Sequence, residues 1–302
     1  MSYHPRFQSL FFTLAASFFV APVLTTHAED DLHAIRLRWQ PGYVYKQATL
    51  TETTTGLTSI GQKEDQKMTI RQTTEIEVTG DPEAEKRAKV TFKALSGDVM
   101  LSGKKHAFDS ADMSAADPMI KASVGKSVGK TFVLVYDAAD KFVEVRDTSS
   151  MSASPDGIVA LDQVAEANEV ADLYRRSLEM GLPKMAVKAG DRWTSLETVK
   201  FPSAGTVNIE LHAKMEAVVD YEGHPNAKIS FEGEMKRADQ SVGTRAVTIG
   251  NGSKTFGQIL FDLDRGTVTL GTFRADIKLE IGGKTVPVRQ QVTTKLIEMV
   301  KK

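Results

Sequence analysis

The strongest constraint on the fold of this chain is an alternation of apolar and polar residues with a period of two. It runs through segments 67–79, 87–95, 206–218 and 227–236, and one face of the first segment carries Met68, Ile70, Ile76 and Val78. This is the spacing of side chains on one face of a β-strand, whereas a helix repeats about every 3.6 residues. The pattern therefore predicts antiparallel strands with one face buried and the other in water.

The last part of the sequence predicts a β-hairpin, with strands at about 268–281 and 284–296 joined by Gly282-Gly283. Two glycines between alternating segments favour the tight hairpin turns, because those turns need positive φ angles. The alternation changes phase near Gly271. We interpret this change as a β-bulge at Gly271 that bends the sheet.

One segment, at about 155–180, has a helical repeat. A capping motif precedes it and a Gly-Leu-Pro stop follows it. Mostly small, apolar residues recur every three or four positions and predict a surface that packs on a sheet: Ala160, Val164, Ala167, Ala171, Tyr174 and Leu178. We interpret the opposite, charged side as a solvated face with Asp172–Arg176 and Arg175–Glu179 ion pairs.

Together these segments predict a mainly β fold of the α+β class. The expected architecture is a large curved antiparallel sheet, or half-barrel, with one principal helix on its apolar face. Residues 29–302 are interpreted as one β-rich domain. The alternative is a duplication, with similar halves at about 34–146 and 191–300 joined by the helix at about 155–180; the halves open with "QPGYVY" and "KAGDRW".

Residues 1–28 are predicted to be a cleaved signal peptide. The apolar run "LFFTLAASFFVAPVL", at 10–24, follows a weakly basic start and is shorter than the roughly 20 residues that span a bilayer. Small residues up to Ala28 suit a signal peptidase, so cleavage is expected between Ala28 and Glu29. An N-terminal membrane anchor is the alternative, which Pro22 and the cleavage site disfavour. The sequence thus predicts an exported protein, periplasmic or secreted, with no membrane span after cleavage.

Composition argues against several classes of site and partner. The chain has no cysteine, so it has no disulfide, no thiolate metal site and no site for a lipid anchor. The whole chain has 38 Lys and Arg and 39 Asp and Glu. Only Arg6 among them lies before the cleavage site, so 37 Lys and Arg and 39 Asp and Glu follow residue 28. Near-neutral, interleaved charge argues against nucleic acid and anionic lipid surfaces as partners.

The stretch "GKSVGKTFVLVY" contains two partial matches to catalytic motifs. Gly125 and Gly129 flank Ser127 as in a hydrolase nucleophile elbow, and the same residues nearly spell a phosphate-binding loop. Both motifs need a helix after them, whereas residues 131–136 are β-branched and aromatic and favour a strand. We therefore interpret the two glycines as loop residues before a hairpin with strands at 131–136 and 141–146.

No residues have the spacing of a metal or catalytic site. The histidines after the signal peptide do not form a zinc motif: His33, His106, His212 and His224. The acidic turn residues Asp137, Asp140 and Asp264 lack the spacing of a calcium loop. The sequence accordingly predicts no catalytic residue, no cofactor and no metal, and favours a non-enzymatic protein.

Two tryptophans are the remaining site candidates. Trp39 lies in "IRLRWQPG" and Trp193 ends "LPKMAVKAGDRW". Large aromatic residues mostly anchor cores, and this is the favoured interpretation of both. The alternative makes each of them a stacking platform at the mouth of a ligand site.

Three stretches, "LRWQPGYVY", "GKTFVLVYDAADKFVEV" and "LPKMAVKAGDRW", together resemble an uncharacterised family of exported bacterial β-rich proteins, a domain of unknown function. The resemblance implies no activity and no catalytic residues. In architecture the expected fold is similar to the half-barrel carriers that shuttle lipids or lipoproteins across the periplasm.

The sequence therefore leaves two main hypotheses for the function. One is an exported binding or carrier domain whose apolar face holds a hydrophobic small molecule. The other is a structural or interaction component of the cell envelope that binds an envelope protein. An exported hydrolase with dispersed catalytic groups is a third alternative.

Overall fold

The computed structural model describes residues 31–101, 103–148, 167–201, 205–238 and 247–302. Within them, thirteen strands form one antiparallel sheet. The strands are β1 (Tyr43–Thr55), β2 (Gln66–Gly80), β3 (Lys86–Leu101), β4 (Lys104–Asp109), β5 (Thr131–Tyr136), β6 (Phe142–Arg146), β7 (Arg192–Phe201), β8 (Gly205–Tyr221), β9 (His224–Arg237), β10 (Val247–Ile249), β11 (Ser253–Asp262), β12 (Thr267–Ile281) and β13 (Lys284–Lys301). The helices are α1 (Pro118–Ser127), α2 (Ala167–Glu179) and a short 3₁₀ helix (Leu57–Ile60).

The sheet is continuous but not closed. Its order is β6-β5-β3-β2-β1-β13-β12-β11-β9-β8-β7, with β4 beside β3 and β10 beside β12. The first strand pairs with the last along its whole length, from Tyr43 opposite Lys301 to Thr55 opposite Val288. Strands from blocks 34–146 and 191–300 therefore share one sheet, and the mainly β fold predicted from the sequence is confirmed.

The period-two pattern corresponds to burial on the sheet. In β8, alternate residues are buried in the main core: Val207, Ile209, Leu211, Ala213 and Met215. The turn between β12 and β13 is the two-residue turn predicted at Gly282 and Gly283, whose φ angles are 55° and 77°. Ile281 lies opposite Lys284, so the turn has no additional residue.

The β-bulge lies two residues before the predicted position. Leu260 pairs with Leu270 and Phe261 with Val268, which leaves Thr269, and not Gly271, as the additional residue. Thr269 is buried, and its hydroxyl donates to Oδ1 of Asn226 at 2.7 Å. The sequence pattern predicts the bulge too late in the strand. Thr269 is a polar residue between Val268 and Leu270, so the alternation continues through it and gives no sign of the additional residue.

Helix α2 packs on the apolar face of the sheet and contacts both of its ends. Tyr174 lies 5.7 Å from the Phe132 ring of β5, centroid to centroid. The indole Nε1 of Trp193, on β7, donates to the backbone oxygen of Gly181 just after the helix, at 3.2 Å. One short helix reaches both ends because the sheet curls around it, as predicted. Positions 155–166 of the predicted helix lie outside the described residues, as do the predicted signal peptide and its cleavage site at Ala28 and Glu29.

Helix α1 was not predicted, and the interpretation of Gly125 as a loop residue was wrong. Ile120 and Val124 of this helix are buried and form a second small core against β2, β3 and β4, with Ile70, Leu95 and Phe108. Gly129, at φ 80°, follows the helix, and β5 begins at Thr131. The short, weakly amphipathic sequence with an internal glycine gives little helical signal.

The segment before β1 closes one end of the main core. His33 forms a β-bridge with Val187, and the Trp39 backbone N–H donates to Oδ1 of Asp140 at 2.9 Å. The Arg38 guanidinium donates to the backbone oxygen of Asp264 at 2.9 Å. These contacts hold Ile35, Leu37 and Trp39 in the core. In the described part of the chain, no helix has the length and apolar content needed to cross a bilayer.

Candidate functional site

A cavity of about 310 Å³ lies between α2 and the concave face of the sheet. Residues on or just after the helix form one wall: Tyr174, Ser177, Leu178 and Met180. Six central strands form the other: Gln47, Thr49, Gln72, Phe231, Ile259, Val268, Gly271, Thr272, Phe273, Val292 and Thr294. Its volume is at the lower end of the range for small-molecule sites, about 300–1,000 Å³.

The strand register divides the cavity into a polar half and an apolar half. One row of paired residues crosses the sheet, from Gln72 through Thr49 and Thr294 to Gly271 and Ile259. The three residues on β2, β1 and β13 are polar, whereas those on β12 and β11 have no polar side-chain group. Other lining residues extend the apolar half: Leu178, Met180, Phe231, Val268, Phe273 and Val292.

The polar half consists of uncharged groups in fixed hydrogen bonds. The Tyr174 hydroxyl donates to Oε1 of Gln47 at 3.0 Å, and burial raises the pKa of Tyr174 above its ordinary value. The hydroxyls of Thr49 and Thr294 lie 3.1 Å apart. Gln72 donates from Nε2 to the hydroxyl of Thr74 at 3.0 Å. None of the described residues that line the cavity carries a charge at neutral pH.

Two glycines have opposite roles beside the cavity. A Cβ atom placed on Gly271 would meet only Cγ1 of Val268, at 3.8 Å, which is an ordinary contact. A Cβ atom on Gly257 would lie 2.0 Å from Cζ of Phe231, inside the ring's van der Waals surface. Gly271 therefore leaves space inside the cavity, whereas Gly257 provides the surface on which the Phe231 ring packs.

Helix α2 is held by the ion pairs predicted from its sequence. Arg175 contacts Glu179 at 2.7 Å, and Arg176 contacts Asp172 at 2.6 Å. Burial raises the pKa of Glu179, and Arg175 offsets that effect only in part. Burial acts the same way on Asp172, but hydrogen bonds from Arg176 and Arg175 outweigh it and hold the Asp172 pKa below its usual value.

Neither tryptophan is among the residues that line the cavity. Trp39 is 4% exposed and packs edge-on against the Tyr45 ring, with centroids 5.4 Å apart. Trp193 is half-buried on β7 and contributes to a shallow polar groove with His212 and Lys214. Their role as ligand-mouth aromatics remains a prediction.

The polar lining residues were not identified from the sequence, although a signal for one of them exists. In β2 the apolar phase of the alternation runs through Met68, Ile70 and Ile76, and Gln72 falls in that phase. A polar residue in the apolar phase of a strand lies on the buried face, where it needs a partner. Gln47, two residues after the buried Tyr45, follows the same rule.

Ser127 lies at the last residue of α1, with the helix before it and strand β5 after it. A nucleophile elbow needs the reverse order, strand before and helix after. The backbone around Ser127 therefore does not present the serine as that motif requires.

The structure brings together His224, Asp262 and Asp264, a set that the sequence analysis did not combine. Nδ1 of His224 lies 3.9 Å from a carboxylate oxygen of each aspartate. Asp262 is fully buried and accepts the backbone N–H of Arg265 at 2.7 Å and a further hydrogen bond from its guanidinium. Because the arginine already compensates this carboxylate, we assign the cluster to the protein's own ion pairing and not to a cation site.

No family model matches this chain, and no curated protein matches it. A solved structure of lipovitellin, which concerns lipid–protein interactions in that protein, is similar with a TM-score of 0.54 at 11% identity. The match covers 87% of this chain and 26% of that chain, so this chain spans about a quarter of that structure's length. The likeness lies in the fold, and it agrees with the large β-sheet predicted from the sequence.

A β-barrel-like protein of a domain of unknown function, DUF1849, from Brucella abortus matches at 10% identity. The match covers 89% of this chain and all of that chain, with a TM-score of 0.24.

Proposed function

We propose that this protein is a non-enzymatic binding or carrier domain for a hydrophobic small molecule. The observation that carries the proposal is the cavity between α2 and the sheet, whose wall is mainly apolar surface. Pockets of this kind, with a few convergent polar groups, are the usual form of small-molecule sites. Burial of an apolar ligand against Phe231, Ile259 and Phe273 would supply the driving force for binding.

The fold comparison supports the same proposal. Lipovitellin, whose structure concerns lipid–protein interactions, shares the fold of most of this chain. Fold similarity alone does not define a ligand, so the support comes from the cavity and the fold together.

The proposal is tested with the uncharged fluorescent probe N-phenyl-1-naphthylamine, whose emission rises in apolar surroundings. We expect saturable binding to the wild-type protein. Gly271→Leu should lower the affinity at least about tenfold, because the new side chain fills the cavity. The matched control is Gly125→Leu on the exposed side of α1, where no atom lies within 4 Å of an added Cβ.

A second variant keeps the test valid if Gly271→Leu fails to fold. Ser177→Phe fills the cavity from the helix side, and Ser177 is exposed enough to accept a larger residue without a change in the core. Circular dichroism reports whether each variant keeps its sheet. If both folded variants bind the probe as tightly as the wild type, the cavity is not the binding site and the proposal fails.

We also propose that the protein acts after export, in the periplasm or outside the cell. The apolar run at 10–24 and the cleavage site after Ala28 support this localisation. N-terminal sequencing of protein recovered from its own cells should begin at Glu29. Recovery of a cytoplasmic chain that still begins at Met1 would contradict it. Native mass spectrometry of the same material should show a small apolar molecule bound.

A further inference from the structure

Most polar side chains on the sheet wall of the cavity lie at one end, and none of them is charged. The neutral hydrogen-bonding groups Gln47, Thr49, Gln72 and Thr294 lie on the adjacent strands β2, β1 and β13. The opposite side, on β12, β11 and β9, is formed mainly by Phe273, Ile259 and Phe231, and Thr272 is its one polar residue in the described lining. A ligand that satisfies both sides has a polar group at one end and an apolar body at the other.

The polar groups offer donors and acceptors together. Oε1 of Gln47 accepts the Tyr174 hydroxyl, so the Nε2 amide of Gln47 presents N–H donors. Nε2 of Gln72 donates to Thr74, so its Oε1 presents an acceptor. The Thr49 and Thr294 hydroxyls share one hydrogen between them, which leaves the second hydrogen for another acceptor. This combination matches hydroxyl, ester or amide groups, which also accept, donate or do both.

A charged head group would be poorly accommodated at this position. The described lining contains no arginine, lysine or histidine to pair with a carboxylate or phosphate, and no aspartate or glutamate to pair with an ammonium. An ion buried without a partner loses its hydration without compensation. Four charged side chains of α2 are already paired with one another, as Arg175–Glu179 and Arg176–Asp172.

We infer that the ligand of this cavity is an amphiphile with an uncharged polar head, held by the Gln47, Thr49, Gln72 and Thr294 side, with its apolar chain against β12, β11 and β9. The inference rests on the proposed function, since it specifies the ligand class of the same cavity. It predicts selection by charge and not only by chain length.

The test is displacement of the bound naphthylamine probe by three twelve-carbon competitors: monolauroylglycerol, laurate and dodecyltrimethylammonium. All are used below the concentrations at which they aggregate, at about pH 8, where a carboxylic acid is ionised. Monolauroylglycerol should bind at least about tenfold more tightly than either charged competitor. Equal binding of laurate and monolauroylglycerol overturns the inference but leaves the proposed function standing. If neither the probe nor any competitor binds, the proposed function itself is overturned.

A charge placed in the polar half gives an independent test. Gln72→Lys should raise the affinity for laurate and lower that for monolauroylglycerol, because the new ammonium pairs with the carboxylate. The matched control is Gln258→Lys, since Gln258 is exposed, belongs to the same sheet and is absent from the cavity lining. An unchanged preference in Gln72→Lys, with native circular dichroism, would show that the head group does not lie against Gln72.

Discussion

The Tyr174 hydroxyl donates to Oε1 of Gln47 at 3.0 Å, and this hydrogen bond joins helix α2 to the central strand β1. Gln47 is buried, so removal of the donor leaves a buried acceptor without this partner. We expect Tyr174→Phe to lower the free energy of unfolding by about 1–2 kcal/mol. Urea denaturation followed by circular dichroism measures the change.

Tyr221→Phe is the control for this substitution. Tyr221 ends β8 beside Lys295, which keeps its ion pair with Glu222 at 2.8 Å when the tyrosine hydroxyl is removed. The control should change stability by less than about 0.5 kcal/mol. Equal losses in the two variants would show that the link between α2 and β1 contributes nothing of its own.

The ion pair between Lys86 and Asp140 is buried and connects β3 to the turn between β5 and β6. Its atoms are 2.8 Å apart, and the two side chains are 7% and 8% exposed. Asp140→Asn leaves a buried ammonium without its counter-charge, so we expect a loss of about 3 kcal/mol in the free energy of unfolding. Asparagine also tolerates the positive φ of 59° at this position, which isolates the effect of charge.

The double variant Lys86→Met/Asp140→Asn should recover part of that loss, because no unpaired charge remains in the core. Guanidinium denaturation of the wild type, Lys86→Met, Asp140→Asn and the double variant gives the coupling free energy between the two positions. Additive losses would mean that the two charges do not stabilise each other.

The close packing of Phe231 on Gly257 makes any side chain at residue 257 costly. An added methyl group would lie 2.0 Å from the ring, so Gly257→Ala forces the ring to move. We expect a loss of about 1–3 kcal/mol in the free energy of unfolding, as for overpacked cores. Gly257→Ala/Phe231→Leu should lose less than the sum of the single variants, because the smaller side chain makes room. A sum that is simply additive would contradict the proposed contact.

Asp172 links the stability of α2 to pH. The Asp172 pKa lies below its usual value in the folded protein, where hydrogen bonds from Arg176 and Arg175 outweigh the opposing effect of burial. Its stabilising effect is therefore present above the pKa of about 3.9 in the unfolded chain and is lost as pH falls through the lower folded pKa. Asp172→Asn should be less stable than the wild type by up to about 1 kcal/mol at neutral pH, with the difference disappearing in acid.

The measurement is thermal or urea unfolding at a series of pH values from neutral to acid. Glu298→Gln, on the exposed surface of β13, controls for the change in net charge. A difference between Asp172→Asn and the wild type that stays constant down to the lowest pH would show that the carboxylate pairing is not its cause.

Much of the fold follows from the sequence because a period of two is a local property. It predicts β8 and the turn at Gly282, and the small apolar stripe predicts the side of α2 that faces the core. Strand order is not local: nothing in the pattern of β1 distinguishes β13 from any other partner. Helix α1 was missed because Gly125 and its polar neighbours weaken the helical repeat, while contacts of Ile120 with Leu95 and Phe108 stabilise it in the folded chain.

The candidate site was less predictable than the fold. Glycine-rich and histidine-containing stretches carry the recognisable motifs of the sequence, whereas the cavity is formed by residues such as Gln72, Thr294 and Tyr174 from distant segments. Their individual residue types are common in strands and helices. Only the register, which places Thr49 beside both Gln72 and Thr294, makes them one polar surface.

The pairing of β1 with β13 also has a consequence during synthesis. The backbone N–H of Lys302 donates to the oxygen of Gly42 at 2.8 Å, so residues far apart in the sequence become neighbours. The chain emerges from the ribosome, or from an export channel, with β1 first among the described strands and β13 last. For that whole interval β1 has one unpaired edge at what will become the centre of the sheet, and such edges invite intermolecular pairing. An edge that invites aggregation while the chain is incomplete is therefore an interior edge of the sheet in the finished protein.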